Sequence, residues 1–171
     1  MTSYVALVRA VNLGAATTLP SAQLRRMGEE CGFANVRTFI TSGNLLFTAD
    51  NDESAVADRV RVRVEAFLGR PALVLIRSAA EMRLISRANP FPDDPGNRVV
   101  AFFLPFAPDP TMIDRATGVC AERMALGARE MFIAYDENMG RSKLKLAVFK
   151  DGTGRNMNSV TAMADLLEEM A

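Results

Sequence analysis

Residues 37–47 read Arg37-Thr38-Phe39-Ile40-Thr41-Ser42-Gly43-Asn44-Leu45-Leu46-Phe47, two runs of β-branched, aromatic and aliphatic residues that meet at Ser42-Gly43-Asn44. Glycine and asparagine tolerate the positive φ that a tight reversal requires, so the stretch predicts a central hairpin with a polar tip. The chain on either side is organised around it. Upstream, residues 4–11 are apolar on both faces except for Arg9, which suits a strand covered on both sides, and Asn12-Leu13-Gly14 ends it. Pro20 opens a helix whose face carries Leu24, Met27 and Cys31, with Gly32 as its stop. Strands over 36–40 and 44–48 follow. Acidic and capping residues at 50–54 precede a long helix with Val56, Val60, Val64 and Phe67 on one face and Arg59, Arg61 and Arg63 on its wet faces. Gly69 and Pro71 break it before a strand over 72–76. Strand, helix, strand, strand, helix, strand is the order of a ferredoxin-like, split βαβ unit.

The second half opens on Ser78-Ala79-Ala80-Glu81, a capping box before a short helix. Asn89-Pro90-Phe91-Pro92 and the polar residues after it make a rigid loop. A buried strand is expected over 99–104, a helix over 111–117 and a hairpin of 123–126 with 131–135 around Gly127. Leu144, Leu146 and Val148 alternate like a strand, yet Leu144 and Val148 also share a helix face, and residues 142–149 are read as helix. From Asn156 onward, Val160, Met163, Leu167 and Met170 fix a terminal amphipathic helix. The expectation is an α+β chain of two ferredoxin-like units packed as one compact chain. An N-terminal lobe would cover 1–77 and a C-terminal α+β lobe 78–171.

Charge narrows the function. Lysine plus arginine equals aspartate plus glutamate at 20 each, so no global field draws the chain to nucleic acid or anionic lipid, and only a local basic patch is left open. There is no histidine, which removes histidine-based triads, histidine general bases and the commonest transition-metal ligand together. Cys31 and Cys120 are far apart and stand in no metal-spaced pair, so neither a disulfide framework nor a cysteine-based zinc site is expected, and no metal and no cofactor is assigned. The start of the chain lacks the pattern of a secretory leader, and no apolar run approaches the roughly 20 residues that span a bilayer, which points to a cytoplasmic protein without a membrane role.

Residues 4–14, Gly32-Phe33, residues 35–40, Ser42-Gly43-Asn44, Asn89-Pro90-Phe91-Pro92, Arg141-Ser142-Lys143-Leu144 and Arg155-Asn156-Met157-Asn158-Ser159-Val160, in that order over essentially the whole chain, together resemble a bacterial family known as domain of unknown function 1697. The resemblance implies two ferredoxin-like units and no established activity, and it favours helix after Ser142. This chain departs from the family pattern at Ala10, where glycine is usual, at Gly154, where alanine is common, and at Met157, where tryptophan is usual.

The candidate site is Arg9, Asn12, Ser42, Asn44, Arg141, Lys143, Arg155, Asn156 and Asn158. Arg9 interrupts an apolar strand, so it needs a partner such as Glu29, a cavity, or a place at the strand end. Arg155 and the two asparagines precede the last helix, whose free amides could hold a phosphate or carboxylate, or Asn156 or Asn158 could simply cap it. Arg141 and Lys143 could grip an anion or begin a solvated helix, and Ser42-Gly43-Asn44 is first of all a turn. Gly152 and Gly154 lack the spacing of a phosphate loop. The reading that follows is a binding module for an anionic small molecule, a nucleotide or RNA phosphate in an inter-lobe crevice. Its alternatives are a histidine-independent enzyme acting on a phosphorylated substrate, and a protein-interaction or homodimer module anchored by Phe91 and Phe106.

Overall fold

The computed structural model describes residues 1–9, 18–40 and 43–171. Within them the chain is a mixed α+β protein with two four-stranded antiparallel sheets and four α-helices. It divides into two compact units, one of Met1–Met82 with Met163–Ala171 and the other of Arg83–Ala162. No helix among the described residues is long and apolar enough to cross a membrane.

In the first unit the strands β1 (Thr2–Val8), β2 (Ala34–Thr38), β3 (Asn44–Ala49) and β4 (Val74–Ser78) lie in the order β2-β3-β1-β4. The central strand β1 pairs Tyr4 with Phe47 and Ser78, and Ala6 with Leu45 and Ile76. Partners directly opposite share a sheet face, so Tyr4, Ala6, Val8, Leu45, Phe47 and Ile76 form one apolar surface. The helices α1 (Ser21–Glu30) and α2 (Glu53–Leu68) supply Leu24, Met27, Val56, Val60 and Val64 to that same core. Phe47 is fully buried and stacks on Phe33 with ring centroids 4.2 Å apart. The alternate β1 residues Val5 and Leu7 are buried as well, as expected of a strand covered on both faces. Helix ends follow the sequence: Asp52 caps α2 by accepting from the Ala55 amide at 2.9 Å, and Gly69 ends it at φ 67°. β4 begins two residues later than the spacing predicts, because the Ala72 amide is taken by the Glu65 carboxylate at 3.1 Å.

In the second unit β5 (Val99–Phe103), β6 (Arg123–Leu126), β7 (Glu130–Ala134) and β8 (Thr153–Asn156) lie in the order β6-β7-β5-β8, which repeats the order of the first sheet. One face packs Phe102, Met124, Leu126, Met131 and Ile133 against Leu104, Met112, Leu144, Leu146 and Val148. Two expected helices are corrected here. Residues 111–117 hold only a 3-10 turn at Ile113–Arg115, since Asp109 captures the Thr111 amide and hydroxyl and Thr117 pairs with Lys145 as an isolated antiparallel bridge. Residues 142–149 are extended as far as Leu146 and then enter a 3-10 turn at Ala147–Lys150, so the strand-like alternation was the better guide. β8 was hidden by Gly154 within it and Gly152 just before it. A Cβ on Gly152 would stand 2.2 Å from the Phe103 carbonyl oxygen, so a residue that weakens the strand signal is what lets this edge close on β5.

The helices α3 (Ala79–Arg87) and α4 (Met157–Glu169) complete the set. α3 starts on the expected capping box: the Ser78 amide donates to the Glu81 carboxylate at 2.9 Å, and the Glu81 amide donates to Ser78 Oγ at 3.3 Å. Urea unfolding is expected to register a loss of about 3–5 kcal/mol for Phe47→Ala and about 1 kcal/mol for Ser78→Ala. Equal losses from the two variants would mean that the aromatic stack does not anchor the first core.

Candidate functional site

Between β7 and β8 the chain passes through a 3-10 turn at Met139–Arg141, an extended stretch and the second 3-10 turn. Leu144, Leu146 and Val148 are 8%, 7% and 8% exposed, whereas Arg141, Lys143, Lys145 and Ala147 are exposed. The backbone accounts for this alternation. Ser142 has φ −57° and ψ 134°, Leu146 has φ −132° and ψ 138°, and Lys145 exchanges two backbone hydrogen bonds with Thr117 at 2.8 and 3.1 Å. Successive side chains on extended backbone point to opposite sides, and every second residue recurs at about 6.5 Å. Lys143 and Lys145 therefore point together toward solvent, exposed Arg141 joins them from the end of the preceding 3-10 turn, and among the described residues no ion pair engages any of the three.

The row is held from behind. The Ser142 hydroxyl donates to the Glu122 carboxylate, whose other oxygen accepts the Cys120 amide at 2.7 Å. The Leu144 amide returns to Ser142 Oγ at 3.3 Å. These bonds, the Ser142 hydroxyl first and the Cys120 amide next, hold Glu122 below the usual glutamate range. Close approach of the two segments depends on Gly118, which has φ 69° and whose missing Cβ would fall 2.0 Å from the Lys143 carbonyl oxygen.

Arg155 lies on the edge strand β8, partly buried, and its Nη1 donates to Thr153 Oγ1 at 2.7 Å and to the Gly154 carbonyl at 2.8 Å. Burial pulls its guanidinium down to about 10, which leaves it protonated at neutral pH. Asn156 caps α4 by accepting the Ser159 amide at 2.9 Å. The Met157 amide donates to the Gly96 carbonyl at 3.0 Å, and a Cβ on Gly96 would meet Asn158 Oδ1 at 2.1 Å. The loop after Asn89-Pro90-Phe91-Pro92 thus sits over the start of this helix, and Asn156 takes the capping role. Met157, in the usual tryptophan position, is 4% exposed.

Arg9 follows the last residue of β1 and is partly buried, its amide bonded to the Leu73 carbonyl at 3.0 Å, while Glu29 pairs with Arg25. Asn44 is buried and works on its own turn, donating from Nδ2 to the Phe39 carbonyl at 3.0 Å. Asn12 and Ser42 lie outside the described residues. Of the predicted residues, then, Arg141 and Lys143 come together with a third cation, Lys145, which the sequence reading passed over. Its signal was the alternation of Leu144 and Leu146, which the helical reading set aside. Among the described residues, no three histidine, cysteine, aspartate or glutamate side chains gather where a metal could be held. A separate groove of about 900 Å³ between α1 and α2 is lined by Met27, Cys31 and Val62, but its Arg63 is already paired with Glu30.

The profile of the family described as "Protein of unknown function (DUF1697)" matches residues 1–132, and the chain belongs to that family. No curated protein matches the chain. Among solved structures, a conserved bacterial protein from Streptococcus pneumoniae is similar with a TM-score of 0.81 at 18% identity, covering 98% of this chain and 99% of that one. At that identity the likeness speaks for the fold.

Glu122 supplies a pH prediction. Its folded pKa is depressed, so its contribution to stability is complete above the ordinary glutamate value and disappears as pH falls through the folded one. Urea midpoints measured from pH 7 down to pH 3 should fall less steeply for Ser142→Ala than for the parent chain, with the two curves converging at the acid end. Parallel curves would remove the Ser142–Glu122 bond from this account.

Proposed function

We propose that this chain is a binding module for a multiply charged anion, a nucleotide or the phosphates of an oligonucleotide, on the surface formed by Arg141, Lys143 and Lys145. The observation that carries the reading is the row of three exposed cations without ion-pair partners among the described residues, Arg141 at the end of a 3-10 turn and Lys143 and Lys145 on the extended stretch after it. Three positive side chains on one side raise the local potential even though the chain as a whole has zero net charge. Arginine brings a planar fork to a phosphate, and each lysine a mobile point charge. We further infer that both units share the ferredoxin-like strand order, the first strand between the third and the fourth and the second at an edge, with helices in the connections of the first unit and loops and 3-10 turns in those of the second. A cytoplasmic setting is supported by two cysteines that are both free, one of them exposed.

Salt dependence tests the reading most directly. Neutralising three phosphates of a single strand releases counterions such that the logarithm of the binding constant falls with a slope of about −2 against the logarithm of salt concentration. Fluorescence anisotropy with a labelled single-stranded RNA 12-mer, and competition by linear inorganic polyphosphate, should show that slope. The combined Arg141→Ala, Lys143→Ala and Lys145→Ala variant should bind neither ligand while unfolding within about 0.5 kcal/mol of the parent, as exposed substitutions do. Unchanged binding by this variant would refute the proposal.

A further inference from the structure

We propose that the row of cations leads into a stacking pocket for a nucleobase, so that the ligand is a single-stranded oligonucleotide held by both its phosphates and a base. The inference rests on the anion reading above and names the class of ligand. Along the outward side of the segment the sequence Arg141, Lys143, Lys145 continues with Ala147, and the extended Leu146 sets the last step at about 6.5 Å. Ala147 and Val148 line one side of a groove of about 540 Å³ whose other lining residues include Phe106, Pro108, Pro110 and Met112. Such a volume falls within the range of small-molecule sites.

Phe106 is 44% exposed at the groove. Its loop is stiffened by Pro105, Pro108 and Pro110 and by Asp109, whose Oδ1 accepts the Thr111 amide at 2.7 Å and the Thr111 hydroxyl at 2.8 Å. An aromatic face carried on a rigid loop loses little conformational freedom when a flat ligand lies on it. Cations along a backbone path with an aromatic ring at its side are how proteins hold single strands without reading their sequence.

Charge fixes the orientation. The groove contains the Asp109 carboxylate, which its two bonds from Thr111 keep below the usual aspartate range, as well as Arg115. A phosphate placed there would meet an ionised carboxylate that offsets the pull of Arg115, whereas along the row no carboxylate is paired with the cations among the described residues. The phosphates accordingly lie along Lys145, Lys143 and Arg141, and the base enters beside Phe106. The chemistry also separates this occupant from a bare polyphosphate, which could use the cations and would gain nothing from the ring.

The test uses the full chain, a fluorescein-labelled hexa-adenylate containing one 2-aminopurine, and linear polyphosphate as competitor. Phe106→Ala should weaken the hexanucleotide roughly ten-fold and abolish quenching of the 2-aminopurine, while leaving competition by polyphosphate unchanged. Phe106→Tyr should restore both signals. If Phe106→Ala affects neither ligand while the triple cation variant loses both, the stacking pocket is overturned and the basic row stands. If the parent chain binds neither ligand, both proposals fall. If Phe106→Ala instead converts a dimer to a monomer in size-exclusion chromatography, the groove is covered by a second copy and the nucleobase assignment is wrong.

Discussion

Leu144, Leu146 and Val148 lie against the second sheet, in one apolar cluster with Phe102, Met131 and Ile133, and that burial governs everything outside it. Fully burying an aliphatic side chain of this size is worth about 1.5–3 kcal/mol. Two like charges about 6.5 Å apart in water repel by only about 0.6 kcal/mol before screening. The apolar term wins by a wide margin, so Lys143 and Lys145, at the alternate positions, are driven to the outer side despite their mutual repulsion, and Arg141 is exposed beside them at the end of the preceding 3-10 turn. The Ser142–Glu122 bond and the Thr117 bridge then keep the segment extended.

A contrast within the same chain makes the point. Arg59-Val60-Arg61-Val62-Arg63 has the same every-second-residue spacing of cations as Arg141-Ser142-Lys143-Leu144-Lys145. In α2 the helical turn splits the three arginines: Arg59 and Arg63, four residues apart, both reach the end of α1 at the Cys31 carbonyl and Glu30, while Arg61 turns away to Asp58 and Glu65. These cations are consumed by neighbours on the same unit. Only extended backbone converts the spacing into a continuous row.

The two sheets share one strand order but differ in their connections. In the first unit α1 and α2 link successive strands, and each helix face is committed to the core. In the second unit the corresponding connections are loops and 3-10 turns, and the candidate surface is drawn from them. Loops on a sheet scaffold can present groups that a packed helix cannot, because their outward residues have no packing duty. The two cations nearest β8 among the predicted candidates illustrate the difference: Arg155 is tied into its own strand, while Lys143 is not.

What the sequence determined by itself was local: the first hairpin, with β2 lying two residues earlier than read, the caps at Asp52 and Ser78, the terminal amphipathic helix, and the valine face of α2, though not Phe67, which is exposed. These depend on turn chemistry and periodicity within a few residues, and such signals survive in a linear reading. Tertiary structure decided the rest. Whether residues 142–149 became helix or extended chain depended on a sheet face far away in sequence that needed Leu144, Leu146 and Val148 at a spacing of two. Gly152, just before β8, carries no strand signal in the letters, and only the fold brings the Phe103 backbone against it. The charges could be counted from the letters, but their direction was set by which neighbours were buried, and burial is a property of the fold.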